Sequence, residues 1–263
     1  MDARRVAVIT GGSSGIGAAA ARTFASAGWT VYELSRSGQD AAGVRHITAD
    51  VCDEASLRAA FDEVGRREGR LDLLINNAGF GVSGAAELCP PEDARRQMEV
   101  NFLGVLACSR LALPLLRESR GRIINISSVA AVFAIPFQSL YSASKAAVNA
   151  LTLALRNELA PFGVSVCALM LGDVHTGFTD AREKRHGGEE LYGERIERSV
   201  RVMERDERGG MSPERVARKL LRMAEQRRVK PLSSLGLKYR LFLLLGRLLP
   251  HSLSNRLVGM MYK

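Results

Sequence analysis

A glycine-rich turn, Thr10-Gly11-Gly12-Ser13-Ser14-Gly15-Ile16-Gly17, follows the apolar run 6–10 and precedes an alanine-rich stretch. Glycine has no Cβ, so the backbone of such a turn can bend sharply and come close to a ligand. If a helix begins here, its free N–H groups and the positive end of its dipole favour a bound pyrophosphate. The turn therefore predicts a strand, a phosphate-binding loop and a helix. A glycine-rich turn without a ligand is the alternative.

Strand-like apolar runs alternate with helix-like stretches beyond this turn. The predicted strands are 6–10, 30–35, 46–50, 71–76, 122–127 and 164–170, and the predicted helices are 15–27, 54–68, 91–120 and 141–160. Such alternation predicts an α/β fold with a doubly wound, mostly parallel sheet, helices on both faces and a C-terminal amphipathic extension. A ligand crevice is expected at the carboxyl ends of the strands, where Arg36, Asp50, Asn77 and Ser128 lie.

The length of 263 residues and the hydrophobic content of 46% are enough for one large core. We expect a catalytic domain over residues 1–228, with residues 229–263 as a basic and hydrophobic extension of the same domain. Within it, the charged stretch 180–211 is interpreted as a flap over the site, with a solvated loop as the alternative. The N-terminus has no signal-peptide pattern and the four cysteines form no CxxC motif, so we expect a cytoplasmic protein.

Tyr141 and Lys145 have side chains that can gain or lose a proton. They are four positions apart, so they share one face if the segment is helical. A phenol has a pKa of about 10, and a nearby positive charge makes it a better partner for proton transfer. Ser128 can donate a hydrogen bond to a substrate oxygen and stabilise negative charge there. With Asn101 these residues form a candidate site for chemistry at a carbonyl or alcohol oxygen. An ordinary exposed pair on an amphipathic helix is the alternative.

With the turn and this pair in place, the chain resembles the short-chain dehydrogenase/reductase family over residues 5 to about 225. The turn resembles the family's TGxxxGxG loop, Asn76-Asn77-Ala78-Gly79 its NNAG segment, and Tyr141 to Lys145 its YxxxK pair. Ser128, 13 positions before Tyr141, resembles the active serine, and Asn101 the structural and catalytic asparagine. The resemblance implies a Rossmann-like fold and an NAD(P)-dependent oxidoreductase.

The resemblance also implies a role for each matched residue. Tyr141 would be the general acid/base, and Lys145 would lower its pKa and hold the nicotinamide ribose. Ser128 would polarise the substrate oxygen, and Asn101 would hold a water in a proton relay. The implied cofactor contacts are Thr10, Gly11, Ser13, Ser14, Gly15, Ile16, Gly17, Ser35, Arg36, Asp50, Val51, Asn77, Ala78, Gly79, Tyr141, Lys145, Val174 and Thr176. The family's usual Pro-Gly before the last two is Leu171-Gly172 here, so the backbone at that turn is less fixed.

Arg36, at the end of the second predicted strand, favours NADP(H), and NAD is the less favoured cofactor. An acidic residue there would accept hydrogen bonds from the ribose 2′-OH of NAD, whereas arginine suits the 2′-phosphate of NADP. Ser35 occupies the usual aspartate position, Glu33 lies earlier in the strand, and Ser14 stands where a second basic residue is often found. A surface charge without a ligand is the alternative for Arg36.

Most of the formal charge of +9 lies in the C-terminal tail, because eight basic residues and no acidic one follow Glu225. These charges are mixed with leucines and have no platform of aromatic side chains, which argues against a nucleic-acid partner. The apolar run 241–249 is far shorter than the roughly 20 residues that cross a bilayer. The tail either makes peripheral contact with an anionic membrane or packs on the protein and closes a hydrophobic tunnel.

Both alternatives for the tail point to a small lipophilic substrate that is steroid-, retinoid- or lipid-like. The sequence thus predicts an NADP(H)-dependent oxidoreductase that transfers hydride between nicotinamide and a carbonyl or secondary alcohol. A 3-oxoacyl-thioester reductase and a non-catalytic NADP(H)-binding interaction protein are the alternative functions. By analogy with the family we expect a homo-oligomer. The histidines His46, His175, His186 and His251 lack metal-ligand spacing, and we predict no metal.

Overall fold

A computed structural model describes residues 4–185 and 187–262, with Glu189 described by its backbone alone. His186, within the predicted flap, and the terminal residues 1–3 and 263 therefore lie outside the described residues. The strands are β1 Val6–Thr10, β2 Thr30–Ser35, β3 Val44–Thr48, β4 Leu73–Asn76, β5 Val82–Ser83, β6 Arg122–Ser128, β7 Ser165–Leu171, β8 Glu183–Lys184 and β9 Leu232–Ser234. Seven of them form a sheet in the order β3-β2-β1-β4-β6-β7-β9, in which every pairing is parallel.

Helices cover both faces of this sheet. They are α1 Gly15–Ser26, α2 Glu54–Glu68, α3 Pro91–Met98, α4 Gly104–Ser119, α5 Ser139–Leu159, α6 Glu189–Tyr192, α7 Arg195–Arg208, α8 Pro213–Glu225, α9 Leu237–Leu248 and α10 His251–Met261. On one face α1 and α8 pack around a core that includes Phe24 and Leu220. On the other, α2, α4 and α5 pack around a core that includes Leu57, Leu116 and Leu155. The predicted doubly wound α/β fold is confirmed.

Local sequence signals account for the placement of several helices. The Asp53 side chain accepts a hydrogen bond from the Ala55 N–H and caps α2, which ends where Gly69 adopts φ of 69°. Ser212 caps α8 through the Arg215 N–H, and a proline occupies its first turn. With these helices as crossovers, the parallel strands all point the same way, and their carboxyl ends form one edge.

Several element boundaries differ from those that the sequence predicts. The third strand runs over Val44–Thr48 and not 46–50, because β3 pairs in register with β2 from Val31 to Ser35. The short strand β9 joins the edge of the sheet beside β7, and β5 pairs with β8 in a separate two-stranded sheet. These strands are two or three residues long, too short for a periodic pattern to reveal.

The stretch 180–211 is largely structured, because α7 spans Arg195–Arg208. Its beginning is fastened to α3 by ion pairs of Glu183 with Arg96 and of Arg185 with Asp93. The alternative of a solvated loop is therefore wrong for much of this stretch, whereas the flap role stays a prediction.

One helical stretch among the described residues, Pro91–Ser119, is long and apolar enough to cross a membrane by length and composition alone. Cys108, Ala112 and Leu116 of this stretch are fully buried between α2 and the sheet. Its apolar composition is therefore accounted for by core packing.

Candidate active site

A cavity of about 1200 Å³ lies at the carboxyl ends of the central strands. The turn after β1 and the ends of β2, β4, β6 and β7 form its floor, and α9 and α10 form its roof. The predicted site residues that line it are Gly11, Ser13, Ser14, Gly15, Ile16, Ser35, Arg36, Asp50, Val51, Asn77, Ala78, Gly79, Ser128, Tyr141, Lys145, Val174 and Thr176. The fold thus brings side chains from distant parts of the sequence to one opening.

The glycine-rich turn has the geometry that a bound pyrophosphate requires. Gly11 and Gly15 adopt φ of 63° and 51°, which an L-residue with a side chain rarely does. The first residues of α1 line the cavity, the first turn contains no acidic residue, and the Ser14 side chain makes no capping bond. Free N–H groups and a positive helix end therefore face an open space, and these residues fit the diphosphate of a dinucleotide.

Two predicted cofactor contacts, Thr10 and Gly17, lie behind the cavity wall. The Thr10 hydroxyl accepts hydrogen bonds from the N–H groups of Asn77 and Ala78 at 3.0 and 3.1 Å. A Cβ at Gly17 would lie 2.1 Å from the Gly11 carbonyl oxygen, so α1 can pack this close to the turn only with glycine there. Thr10 and Gly17 therefore support the lining residues without reaching the cavity.

Asn101 also lies outside the lining, in a π-helical turn, Glu99–Leu103, between α3 and α4. Its side chain is fully buried, and the Oδ1 atom accepts a hydrogen bond from the Phe80 N–H at 3.0 Å. The Nδ2 group donates to the Phe80 carbonyl at 3.0 Å and to the Ser144 hydroxyl at 3.1 Å. The carboxamide thus joins α5 to the loop after β4, and its role in a water relay stays a prediction.

Tyr141, Lys145 and Ser128 meet at the floor of the cavity, with the first two on the same face of α5. The Lys145 Nζ lies 5.8 Å from the centre of the Tyr141 ring and donates a hydrogen bond to the Ile126 carbonyl at 2.9 Å. Burial lowers the pKa of Lys145 to about 8. The ammonium is therefore poised to change its charge just above neutral pH.

Burial also raises the pKa of Tyr141 to about 12, although a hydrogen bond with Ser128 acts in the opposite direction. The net shift is opposite to the one that the family resemblance implies. The physical reason is that desolvation of the phenolate outweighs the other influences, while the Lys145 ammonium is engaged by a main-chain carbonyl. In this state the Tyr141 phenol is protonated at neutral pH.

The end of β2 presents Arg36 to the cavity, beside Ser35 and Ser37. Glu33 does not compete with it, because its carboxylate is buried, paired with the His46 Nδ1 atom, and accepts a hydrogen bond from the Ser35 hydroxyl at 3.2 Å. The side chain that could have mimicked the acidic residue of an NAD site is thus buried beneath the glycine-rich turn, with Oε2 3.0 Å from a Cβ built at Gly12, and it does not line the cavity.

Sequence reasoning missed the individual residues that form the substrate end of the cavity. The apolar members are Phe133, Phe178, Phe242, Leu245, Leu249, Leu257, Val258 and Met261. Among them, Phe178 lies beside Tyr141, with the two ring centres 5.9 Å apart. The leucine-rich tail could have indicated the members on α9 and α10. Phe133 and Phe178 are isolated in loops, where no sequence pattern marks them as lining residues.

Two carboxylates, those of Asp206 and Glu207, line the same end of the cavity. The Glu207 carboxylate pairs with the buried Arg182 and accepts a hydrogen bond from the Thr179 hydroxyl at 2.7 Å. The negative charge of Glu207 adds to the rise in the pKa of Tyr141 that burial causes, and the positive charge of Arg182 opposes it.

In residues 4–185 and 187–262 no three His, Cys, Asp or Glu side chains are arranged to hold a metal ion. His175 is exposed and all four cysteines are free thiols. The absence of a bound metal stays a prediction.

Comparison with known proteins agrees with this geometry. The family model described as short chain dehydrogenase matches residues 5–187. A 3-ketodihydrosphingosine reductase of Bacteroides thetaiotaomicron is 41% identical over 216 residues, which cover 81% of this chain and 80% of that reductase. An NADPH-dependent 1-acyldihydroxyacetone phosphate reductase of Schizosaccharomyces pombe is 38% identical over 183 residues, 67% of this chain and 62% of that enzyme.

A solved structure, that of a short-chain dehydrogenase from Streptomyces avermitilis, superposes with a TM-score of 0.84. It is 28% identical in sequence, and the match covers 94% of this chain and 93% of that one. The likeness extends beyond the part matched by the family model, through most of the C-terminal helices. This chain therefore belongs to the short-chain dehydrogenase/reductase family and is an NAD(P)-dependent oxidoreductase.

Proposed function

We propose that the protein is an NADP(H)-dependent reductase of long-chain, lipophilic ketones. The observation that carries the proposal is the apolar chamber above Tyr141, which α9 and α10 roof with Phe242, Leu249 and Val258. An acyl chain placed there loses contact with water, and each buried CH₂ group contributes about 0.8 kcal/mol. A sugar or another strongly polar substrate would gain little from such walls.

Bound NADPH would supply the hydride that reduces the carbonyl carbon. Tyr141, protonated at neutral pH because burial raises its pKa to about 12, donates its proton to the carbonyl oxygen. Ser128 donates a hydrogen bond to the same oxygen and stabilises its developing charge. Lys145 would hold the nicotinamide ribose, and Val174 and Thr176, which line the same cavity, would contact the nicotinamide.

The preference for NADP(H) is supported by Arg36, which lines the cavity while Glu33 is turned away and paired with His46. A guanidinium forms charge-assisted hydrogen bonds with a phosphate, and these are about twice as strong as neutral ones. The relative from Schizosaccharomyces pombe, described as NADPH-dependent, is consistent with this proposal.

A carboxylate in the chamber favours one kind of lipid-like ketone. Asp206 lines this end of the cavity and can pair with an ammonium group on a substrate, whereas the charge of Glu207 is opposed at Tyr141 by that of its partner Arg182. The substrate named for the Bacteroides relative, 3-ketodihydrosphingosine, is a long-chain ketone with a primary amine on the neighbouring carbon. We propose a long-chain 2-amino ketone of this type as the substrate.

A panel of three ketones with NADPH and with NADH tests the proposal. The probes are 3-ketodihydrosphingosine, 1-acyldihydroxyacetone phosphate and a 3-oxoacyl thioester of matched chain length. We expect the highest kcat/KM for 3-ketodihydrosphingosine with NADPH. A higher value for the thioester would support the 3-oxoacyl-thioester reductase instead. If the protein binds NADPH and reduces none of the probes, the result would support the non-catalytic NADP(H)-binding interaction protein.

The charge of Lys145 leads to a prediction of pH dependence. Since its pKa is about 8 in the free protein, the ammonium is present below pH 8 and is lost as the pH rises through that value. A hydrogen bond to a charged group contributes about 1.5–3 kcal/mol, so the affinity for NADPH is expected to fall roughly tenfold from pH 7 to pH 9.5.

Titration of NADPH binding by fluorescence between these pH values checks this prediction. In Lys145→Met the affinity is expected to be low and flat over the same range. A wild-type profile as flat as that of the variant would show that Lys145 does not titrate there.

We also propose that the outer faces of α9 and α10 make peripheral contact with anionic membranes. Apolar side chains are exposed there, including Leu244, Leu248 and Met260, while the inner faces of the same helices roof the cavity. Every formal charge after Glu225 is basic. Attraction to an anionic membrane surface contributes about 1 kcal/mol per Lys or Arg. At an interface between two copies of the protein, by contrast, two such basic tails would repel each other.

Co-sedimentation with phosphatidylglycerol-containing and pure phosphatidylcholine vesicles tests this contact. We expect binding to the anionic vesicles, weakened by salt, and a loss of several-fold in Leu248→Glu. Leu191→Glu is the matched control, since both leucines are 72% exposed and Leu191 lies outside the tail. Equal effects of the two substitutions, or an altered oligomeric state in place of altered vesicle binding, would contradict the proposal.

Two broader predictions remain proposals. We propose that residues 229–263 belong to the same domain as residues 1–228, because α9 and α10 complete the cavity. A homo-oligomer is proposed on family analogy, supported by Leu106 on α4 and Leu153 on α5, which are apolar and exposed. The cytoplasmic location stays a prediction.

A further inference from the structure

Tyr239, from the first turn of α9, lies directly on the backbone that follows β7. A Cβ built at Gly172 would fall 2.0 Å from the Tyr239 ring, far inside any permitted contact. Ring and backbone can therefore pack this closely only because residue 172 is glycine. The family resemblance places a proline just before this glycine, and Leu171 stands there in this chain. The aromatic ring thus restricts the backbone at Gly172, where the family's usual proline is missing.

The hydroxyl of Tyr239 makes two hydrogen bonds to Asp173, the residue that follows Gly172. It donates to the Asp173 Oδ2 atom at 2.5 Å and accepts from the Asp173 N–H at 2.9 Å. The Lys238 ammonium stands 3.7 Å from the same Oδ2 atom. Burial and the neighbouring carboxylate raise the pKa of the Tyr239 phenol, so the hydroxyl keeps its proton across the working range of pH. The hydroxyl can therefore donate to the carboxylate while it accepts from the N–H group, and the two bonds fix its orientation.

The residue held in this way begins the segment that faces the cofactor. The Asp173 carbonyl accepts a hydrogen bond from the Met211 N–H, and the His175 N–H donates to the Met211 carbonyl, both at 3.0 Å. Thr176 then packs against the phosphate-binding turn, because its Cβ atom lies 3.4 Å from the position of a Cβ built at Gly15. The segment 172–176 is thus fastened at one end to the tail and reaches the turn at the other.

The same helix contributes to the substrate chamber. Phe242, one turn after Tyr239, lines the cavity, as do Leu245 and Leu249 further along α9. Tyr239 is therefore the point at which the roof of the chamber and the segment 172–176 are joined. A displacement of α9 would move both.

We propose that Tyr239 is a positioning residue that holds the segment 172–176 in place for the cofactor and couples cofactor binding to the roof of the substrate chamber. The inference rests on the proposed function in one respect, the contact of Val174 and Thr176 with the nicotinamide. Since coupling between two binding sites is reciprocal, a substrate that packs under α9 then tightens cofactor binding, and the cofactor favours the closed roof.

Tyr239→Phe tests the proposal, because it keeps the ring on Gly172 and removes both hydrogen bonds. We expect the Kd for NADPH, measured by fluorescence titration without substrate, to rise by about 3- to 10-fold. Tyr32→Phe is the matched control. It also removes a tyrosine hydroxyl that donates to a carboxylate, that of Glu68 at 2.6 Å, but on the α2 side of the sheet. In the control the Kd should stay within twofold of the wild-type value.

A double-mutant cycle with Asp173→Ala separates positioning from a general loss of stability. If Tyr239 acts through Asp173, the effect of Tyr239→Phe on the NADPH Kd should be smaller in the Asp173→Ala background, which has already lost the bond to the carboxylate and keeps only the one from the main-chain N–H. Thermal unfolding without cofactor is expected to shift comparably in Tyr239→Phe and Tyr32→Phe. An unchanged Kd in Tyr239→Phe, or an equal rise in the Tyr32→Phe control, would overturn the proposal.

This outcome is independent of the proposed substrate. If 3-ketodihydrosphingosine is not reduced, the proposed substrate is wrong. The NADPH Kd values of Tyr239→Phe and Tyr32→Phe can still be compared, because they are measured without substrate. If wild-type protein binds NADH and not NADPH, the proposed cofactor preference fails, and the same comparison with NADH decides the role of Tyr239.

Discussion

Replacing Tyr141 with phenylalanine is expected to lower kcat/KM for ketone reduction by about 10²- to 10⁴-fold. The substitution keeps the ring that packs near Phe178 and removes the proton donor at the floor of the cavity. The loss is expected mainly in kcat, because the chamber walls that bind the substrate are unchanged. Steady-state oxidation of NADPH with 3-ketodihydrosphingosine is the measurement.

The Kd for NADPH distinguishes loss of chemistry from loss of folding in this variant. It is expected to stay within about threefold of the wild-type value, since Lys145 and the glycine-rich turn remain. Tyr32→Phe, whose hydroxyl lies outside the cavity lining, should retain wild-type turnover. Turnover by Tyr141→Phe within tenfold of wild type would show that another group supplies the proton.

Replacing Arg36 with alanine is expected to lower kcat/KM with NADPH by about 10- to 100-fold and to leave the value with NADH nearly unchanged. We expect the guanidinium, which lines the cavity, to bind the 2′-phosphate that NADH lacks. Nothing at the end of β2 replaces it, because Ser35 and Ser37 are neutral and Glu33 is paired with His46. The ratio of the two kcat/KM values for a single ketone is the quantity to measure.

Arg58→Ala provides the control for this comparison. Arg58 is an exposed arginine on α2 that pairs with Glu54, so its removal changes the net charge equally without touching the cavity. Its ratio of NADPH to NADH efficiency should match that of the wild type. An equal loss with both cofactors in Arg36→Ala would mean that Arg36 stabilises the site without reading the 2′-phosphate.

Short-range patterns predicted the floor of the site well. The glycine-rich turn, the four-residue step from Tyr141 to Lys145 and the strand-end placement of Arg36 each depend on a few neighbouring residues. Backbone periodicity then determines where such side chains point. For this reason the strands β1, β2 and β7 fall within one residue of their predicted ends.

Predictions that depend on packing were less complete. Asn101 matches its motif, yet burial directs its carboxamide to Phe80 and Ser144 and away from the cavity. The pKa of Tyr141 is raised because desolvation in the folded chain outweighs the favourable neighbours that the spacing suggested. Neither the extent of burial nor a partner far along the chain can be obtained from a local pattern.

The sequence predicted the family through the resemblance of its motifs, and it predicted the parallel sheet and the residues at the carboxyl ends of its strands through local spacing and period. Tertiary structure decided the roof of the chamber and the position of Tyr239, whose partner Asp173 lies 66 positions away. It also turned Glu33 toward His46 and left Arg36 to face the cavity. Such contacts depend on how helices and loops pack across the sheet, which no short stretch of sequence specifies.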